Sequence, residues 1–103
     1  MIKLGGIWVS PAEVESVLVE HPDVLEAAVV GGYTDDGLET SFAFVVPKFG
    51  KTVDVTSLEA HCRSRMASFK RPRTIIFVSE LPKTATGKIK RYQLREQVNS
   101  RHF

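Results

Sequence analysis

Cysteine is all but missing from this 103-residue chain. The single Cys62 has no partner for an internal disulfide, which fits a reducing compartment, and a cytoplasmic location is expected. Long apolar runs are missing too, which excludes a membrane-spanning helix. The N-terminus lacks the basic-then-apolar layout of a secretory signal. No repeat or low-complexity stretch occurs. His21, His61 and His102 show no metal-ligand spacing with one another, so no metal site is expected.

What is present is enough for one domain, residues 1–103, since roughly 100 to 200 residues make one. Hydrophobic residues make up 43% and can bury a core, although a domain this small gains only modest stability. The net charge of +2 conceals a segregation. Residues 1–69 carry five Lys or Arg against ten Asp or Glu, whereas residues 70–103 carry nine against two. A basic third of this kind suits a polyanionic or phosphorylated partner, or is simply a solvated face.

Local patterns give the order β-α-β-β-α-β-α. A short apolar segment precedes "SPAEVESVLVEHP", where Ser10 is the expected N-cap, Pro11 suits the first helical position and Glu13 stands three after the cap. Val14, Val17 and Leu18 repeat at helical spacing, and His21-Pro22 ends the helix. "VLEAAVVGG" (24–32) and "TSFAFVVP" (40–47) are predicted strands joined by the Asp-Gly turn of "YTDDGLE". A second helix is expected from a Thr56 cap through Leu58, Cys62 and Met66, with Cys62 in the core. A third strand at "TIIFV" (74–78) and a last helix from about Ile89, carrying Leu94 and Val98, complete the chain. The fold class expected is α+β, a small sheet of about three main strands with packed helices.

Two stretches invite chemistry. In "LPKTATGKIKR" (81–91), Gly87 allows positive φ and close approach, Thr84 and Thr86 offer hydroxyls, and Lys88 is a mobile point charge. Such a charge suits negative charge developing on a phosphoryl group or carboxylate. A phosphate-binding loop of the G-x-x-x-x-G-K-[ST] type is excluded, because Pro82 stands at the first glycine position and Ile89 follows the lysine. A plain helix-start loop is the alternative. In "LGGIW" the paired glycines mark a turn or bulge, or let a narrow ligand lie against bare backbone.

Together these motifs resemble a known pair. "IKLGGIWVSPAEVE" (2–15) resembles the opening of the C-terminal domain of adenylate-forming enzymes, and "LPKTATGKIKR" resembles the lysine motif near its end. "HPDVLEAAVVG" and "SFKRPRTIIFVSELP" extend the resemblance over essentially the whole chain. The group includes acyl- and aryl-CoA synthetases, luciferases and nonribosomal peptide adenylation domains. The wording is most similar to acid–CoA ligases, with a benzoate-type aromatic acid ligase first among them.

The resemblance implies a two-step reaction. A carboxylate and MgATP give acyl-adenylate and pyrophosphate, and the thiol of coenzyme A then displaces AMP. It also implies a domain that rotates on a hinge between the steps. Lys88 aligns with the adenylation lysine and would reach the α-phosphate and acyl carboxylate, while Lys3 would face the nucleotide. Gly5 and Gly6 would line the pantetheine tunnel, with Trp8 packing or flanking it, and Lys70, Arg71 or Arg63 would contact phosphates of coenzyme A. ATP or AMP, coenzyme A and Mg2+ are thus expected ligands of a complete enzyme, none bound tightly by this domain alone. The implied partners are a large N-terminal adenylation domain, absent from these residues, and the acid and coenzyme A substrates. An acetyltransferase acting on exposed Lys88 would switch adenylation off. Alone, the domain is expected to be inactive. No nucleic-acid or membrane partner is expected. Two alternatives stay open: a basic nucleic-acid-binding module, drawing on Phe69 and Tyr92 beside basic residues, and a freestanding regulatory domain.

Overall fold

Five of the eight residues from Ser41 to Lys48, the run Phe42–Val46, are apolar and buried, which a strand achieves only when both faces of its sheet are covered. The structure, a computed structural model that describes residues 2–4 and 6–100, shows what covers them. Strands β3 (Val24–Tyr33), β4 (Glu39–Pro47) and β5 (Thr74–Phe77) form a mixed sheet with β4 in the middle, antiparallel to β3 and parallel to β5. Ala43 and Val45 point to one face, against helices α1 (Pro11–Val19) and α2 (Val55–Arg65). Phe42, Phe44 and Val46 point to the other, against α3 (Arg91–Ser100) and Leu81. The alternation of side chains along one strand thus divides the interior into two cores. The expected α+β class and its three main strands are what the structure has.

The opening apolar segment is a small hairpin, β1 (Ile2–Leu4) against β2 (Ile7–Val9), with Gly6 at φ 86° in its turn. Gly31 and Gly32 near the end of β3 make room for its neighbours. A Cβ on Gly31 would meet Ile2 of the hairpin at 3.0 Å, and one on Gly32 would meet Val98 of α3 at 2.5 Å. These two glycines are there for close packing.

α1 starts as expected: Ser10 Oγ accepts the Glu13 N–H at 3.4 Å and Pro11 opens the helix. α2 corrects the expectation of a Thr56 cap. Asp54 caps it instead, its carboxylate accepting the Thr56 N–H at 3.0 Å. An ionised oxygen on a short side chain is the better acceptor for free N–H groups at the positive end of a helix. α3 begins at Arg91, later than the expected Ile89, because Ile89 is held in an antiparallel bridge to Lys83.

Two histidines tie α1 to α2. His21 Nδ1 accepts the Asp23 N–H at 3.1 Å, which leaves the ring proton on Nε2 to donate to Ser57 Oγ at 3.0 Å. His61 Nε2 donates to the Val17 carbonyl at 2.6 Å, and the rings meet edge-on with centroids 5.4 Å apart.

Candidate functional site

Thr84, Ala85, Thr86 and Gly87 build a tight turn beneath Lys88. The Gly87 N–H donates to the Thr84 carbonyl at 2.9 Å, and Gly87 adopts φ 85°, the left-handed conformation that turns the chain back. The Thr84 N–H then donates to the Lys88 carbonyl at 2.8 Å, and the Lys88 N–H donates to Thr84 Oγ1 at 3.2 Å. Thr86 Oγ1 lies 3.0 Å from Thr84 Oγ1. Both backbone polar groups of Lys88 are therefore taken by Thr84, while its side chain is exposed. A lysine presented this way combines a fixed backbone with a free ammonium group.

The same device occurs once more, at the β3–β4 turn. The Thr34 N–H donates to the Leu38 carbonyl at 2.9 Å, the Gly37 N–H to the Thr34 carbonyl at 2.9 Å, and the Leu38 N–H to Thr34 Oγ1 at 3.1 Å. Gly37 has φ 82°. The shared pattern T-x-x-G is visible in the sequence at both places.

The lysine loop is anchored at both ends. Leu81 is buried in the α3-side core. Lys83 pairs with Glu26 of β3, and the Lys90 N–H donates to the Pro82 carbonyl at 2.8 Å. Arg91 Nη2 lies 2.6 and 2.7 Å from the two oxygens of Glu15 in α1, and one of those oxygens also accepts the Val29 N–H at 2.7 Å. Sequence reasoning missed Glu15 and Glu26, because their partners lie 76 and 57 positions away and no local pattern announces them.

The other expected site residues lie elsewhere. Lys3 is exposed, 5.8 Å from the centroid of the Trp8 ring, and lines a cavity of about 400 Å³ with Gly31, Gly32, Arg91 and Arg95. Gly6 sits in the exposed hairpin turn, and Gly5 lies outside the described residues. Trp8 is exposed and keeps 59% of its surface. Arg63 and Arg71 share a cleft of about 140 Å³ with buried Cys62, and the Arg71 Nε–H donates to the Met66 carbonyl at 3.2 Å. Burial pushes the Cys62 thiol up from its ordinary value, with the Arg71 charge pulling the other way. Lys70 Nζ lies 2.8 Å from Glu13 and 5.8 Å from the Phe69 ring centroid. Arg71 also lines a wider cleft with Leu4, Ser68, Phe69 and Arg73. The structure thus groups Arg63 and Arg71 on the α2 side of the sheet and puts the Lys88 loop on the α3 side, with Lys70 tied to α1 through Glu13.

Residues 13–88 match the model of the AMP-binding enzyme C-terminal domain. The chain belongs to that family. Among its relatives, the benzoate–CoA ligase of Thauera aromatica is 52% identical over 98 residues, covering 92% of this chain and 19% of that enzyme. The 3-hydroxybenzoate–CoA/4-hydroxybenzoate–CoA ligase of the same organism is 41% identical over 103 residues, covering 97% and 20%. Among solved structures, the anthranilate–CoA ligase AuaEII in complex with anthranoyl-AMP superposes with a TM-score of 0.93 at 47% identity, covering 98% of this chain and 20% of that one. ATP-bound MatB from Rhodopseudomonas palustris gives 0.90 at 33% identity, covering 100% and 20%. The chain therefore spans about one fifth of the length of these members, and it corresponds to the C-terminal domain of acyl- and aryl-CoA ligases.

Proposed function

We propose that this chain is the mobile C-terminal domain of an AMP-forming carboxylic acid–CoA ligase, and that Lys88 is its adenylation residue. The observation that carries this reading is the loop geometry: Thr84 holds the Lys88 backbone at both polar groups while the side chain reaches solvent. In the first step, a carboxylate oxygen attacks the α-phosphorus of ATP and pyrophosphate leaves. Negative charge grows on the phosphoryl oxygens, and the Lys88 ammonium stabilises it. In the second step the thiol sulfur of coenzyme A attacks the acyl carbon, its proton passes to solvent, and AMP leaves. Lys88 has no part in that step. Gly5 and Gly6 flank the thiol's path, and Lys3 faces the nucleotide.

Several finer assignments belong to the same proposal. Arg63, Lys70 and Arg71 meet the phosphates of coenzyme A, supported by the cleft that Arg71 lines beside the hairpin. Arg63 is the exposed and unengaged candidate of the α2 cleft, whereas Lys70 must leave Glu13 to take part. Among the described residues no group of three or more His, Cys, Asp or Glu is set to hold a metal ion. The Mg2+ is accordingly assigned to the triphosphate and not to this chain. The acid is an aromatic one of the benzoate type, supported by the benzoate and anthranilate relatives. Catalysis requires a large N-terminal adenylation domain, and this domain alone is inactive and binds neither nucleotide nor coenzyme A tightly. A cytoplasmic setting suits the free thiol of Cys62. An acetyltransferase acting on Lys88 would cancel its charge; peptide mass mapping after acetyltransferase treatment tests this, and an unmodified Lys88 refutes it.

The deciding experiment is Lys88→Ala in the complete ligase. Adenylate formation should fall by on the order of a hundred- to a thousandfold, while thioester formation from preformed adenylate holds within a few-fold. Equal loss in both half-reactions overturns the assignment.

A further inference from the structure

The loop that presents Lys88 leaves the α3-side core at Leu81 and returns to the sheet at Arg91. At each end a basic side chain reaches for a carboxylate tied to β3. At the leading end Lys83 pairs with Glu26, which is itself a β3 residue. At the trailing end Arg91 chelates Glu15, whose carboxylate also takes the Val29 N–H of β3. β3 is the outer strand on this side of the sheet, so the Val29 N–H points away from the ladder. Glu15 comes from α1 on one face and Arg91 from α3 on the other. They meet around the strand's free edge.

We infer that Glu15 and Glu26 are positioning residues, a two-point clamp that sets where the Lys88 loop stands on the sheet. The inference rests on the reading of Lys88 given above and deepens it. Glu15 is the stronger point, because it is mostly buried, makes a bifurcated charge-assisted contact and satisfies an otherwise orphaned backbone donor. Arg91 Nε is buried without an acceptor, and among the described residues Glu15 is the side chain that its guanidinium contacts. Glu26 is the weaker point, being partly exposed together with Lys83. Within the loop the turn is rigid, since Thr84 holds Lys88. Displacement of the lysine's backbone therefore falls to the anchors.

The kinetic arm uses the complete ligase carrying Glu15→Gln, which keeps an oxygen for the Val29 N–H but removes the charge that holds Arg91. A misplaced catalytic group costs on the order of ten- to a hundredfold, so kcat for adenylation should fall by that range. KM for the acid should stay within about twofold, because the substrate pocket is untouched. Thioester formation from preformed adenylate should be unchanged. A second arm, on the 103-residue chain itself, follows amide exchange, and the Lys88 and Lys90 N–H groups should lose protection. Glu20→Gln, which breaks the exposed Glu20–Arg65 contact on the same side of the fold, should change none of these. The charge swap Glu26→Lys with Lys83→Glu should restore loop protection that Glu26→Lys alone removes.

A proportional drop in both half-reactions together with the melting temperature would reduce Glu15 to a plain structural role and overturn the inference. So would unchanged adenylation. Should Glu15→Gln fail to fold, Arg91→Gln, which removes the positive charge that meets both Glu15 oxygens, takes its place with the same outcomes. Lys88→Ala is measured in parallel. Where it abolishes adenylation and the Glu15 variant does not slow it, only the clamp fails; where Lys88→Ala spares adenylation, the reading of the lysine itself fails.

Discussion

Thr84 and Gly87 do different work for the same lysine. Thr84 supplies an acceptor through Oγ1, and Gly87 supplies a backbone conformation. Thr84→Val keeps the shape but removes the acceptor from the exposed Lys88 N–H. It should lower stability by about 1 kcal/mol or less, water replacing the lost oxygen, and slow adenylation several-fold without touching the thioester step. Gly87→Ala has open space for its methyl group, with nothing within 4 Å, so its cost is conformational alone, about 1 kcal/mol. Chemical denaturation of the two variants should give losses of similar size by these separate routes. The Gly, the threonines and the lysine were all visible in the sequence as one turn presenting a charge, because their chemistry is local. Glu15 and Glu26 were not, since only the fold brings a carboxylate of α1 or β3 to that loop. Asp54 was missed for a subtler reason. Asp54 and Thr56 both suit a cap, and only the backbone, extended at Asp54 with φ −77° and ψ 121°, decides between them.

Elements show the same division between what is local and what is not. Helix α1 and the β3–β4 hairpin follow from periodicity, a Ser-Pro start and an Asp-Gly turn. The hairpin that β1 and β2 form, with Gly6 in its turn, was legible only as a turn with an apolar flank, because three-residue strands carry too little alternation to register. Nor does the sequence say that β5 runs parallel to β4, a consequence of the crossover through α2. The end of β3 gives a sharp test. Gly32→Ala would drive a methyl group to 2.5 Å from Val98 and 3.0 Å from Phe42. Overpacking of this kind costs about 1–3 kcal/mol, which a thermal melt of the 103-residue chain should report as a clear drop. Trimming Val98 to Ala in the same chain should recover part of it. Asp54→Ala, by contrast, removes only a cap and should cost about 1 kcal/mol.

For the whole molecule, the segregation of charge finds an internal explanation. Glu13 with Lys70, Glu26 with Lys83 and Glu15 with Arg91 each join the acidic first two-thirds of the chain to its basic last third. Part of the excess that suggested a polyanionic partner is thus neutralised within the fold. At the alkaline end Cys62 sets the sign. Its thiol titrates higher in the fold than in the unfolded chain, so its contribution to stability is fully present below the ordinary thiol range and is lost as pH rises from there through the raised value of the fold. The native chain should therefore react slowly with iodoacetamide at neutral pH while the denatured chain reacts fast. Cys62→Ala should flatten the alkaline fall in stability even as it lowers stability overall.

A turn whose backbone is locked at the lysine cannot extend or retract its tip by flexing. In the two-step enzyme proposed above, the reach of that ammonium group would be a matter of leverage: an arm carried on a body 37 Å in its longest dimension would convert a torsional change far from the tip into travel. Such an arm would carry the residue's backbone in and out as one piece, leaving only the side chain itself to adjust.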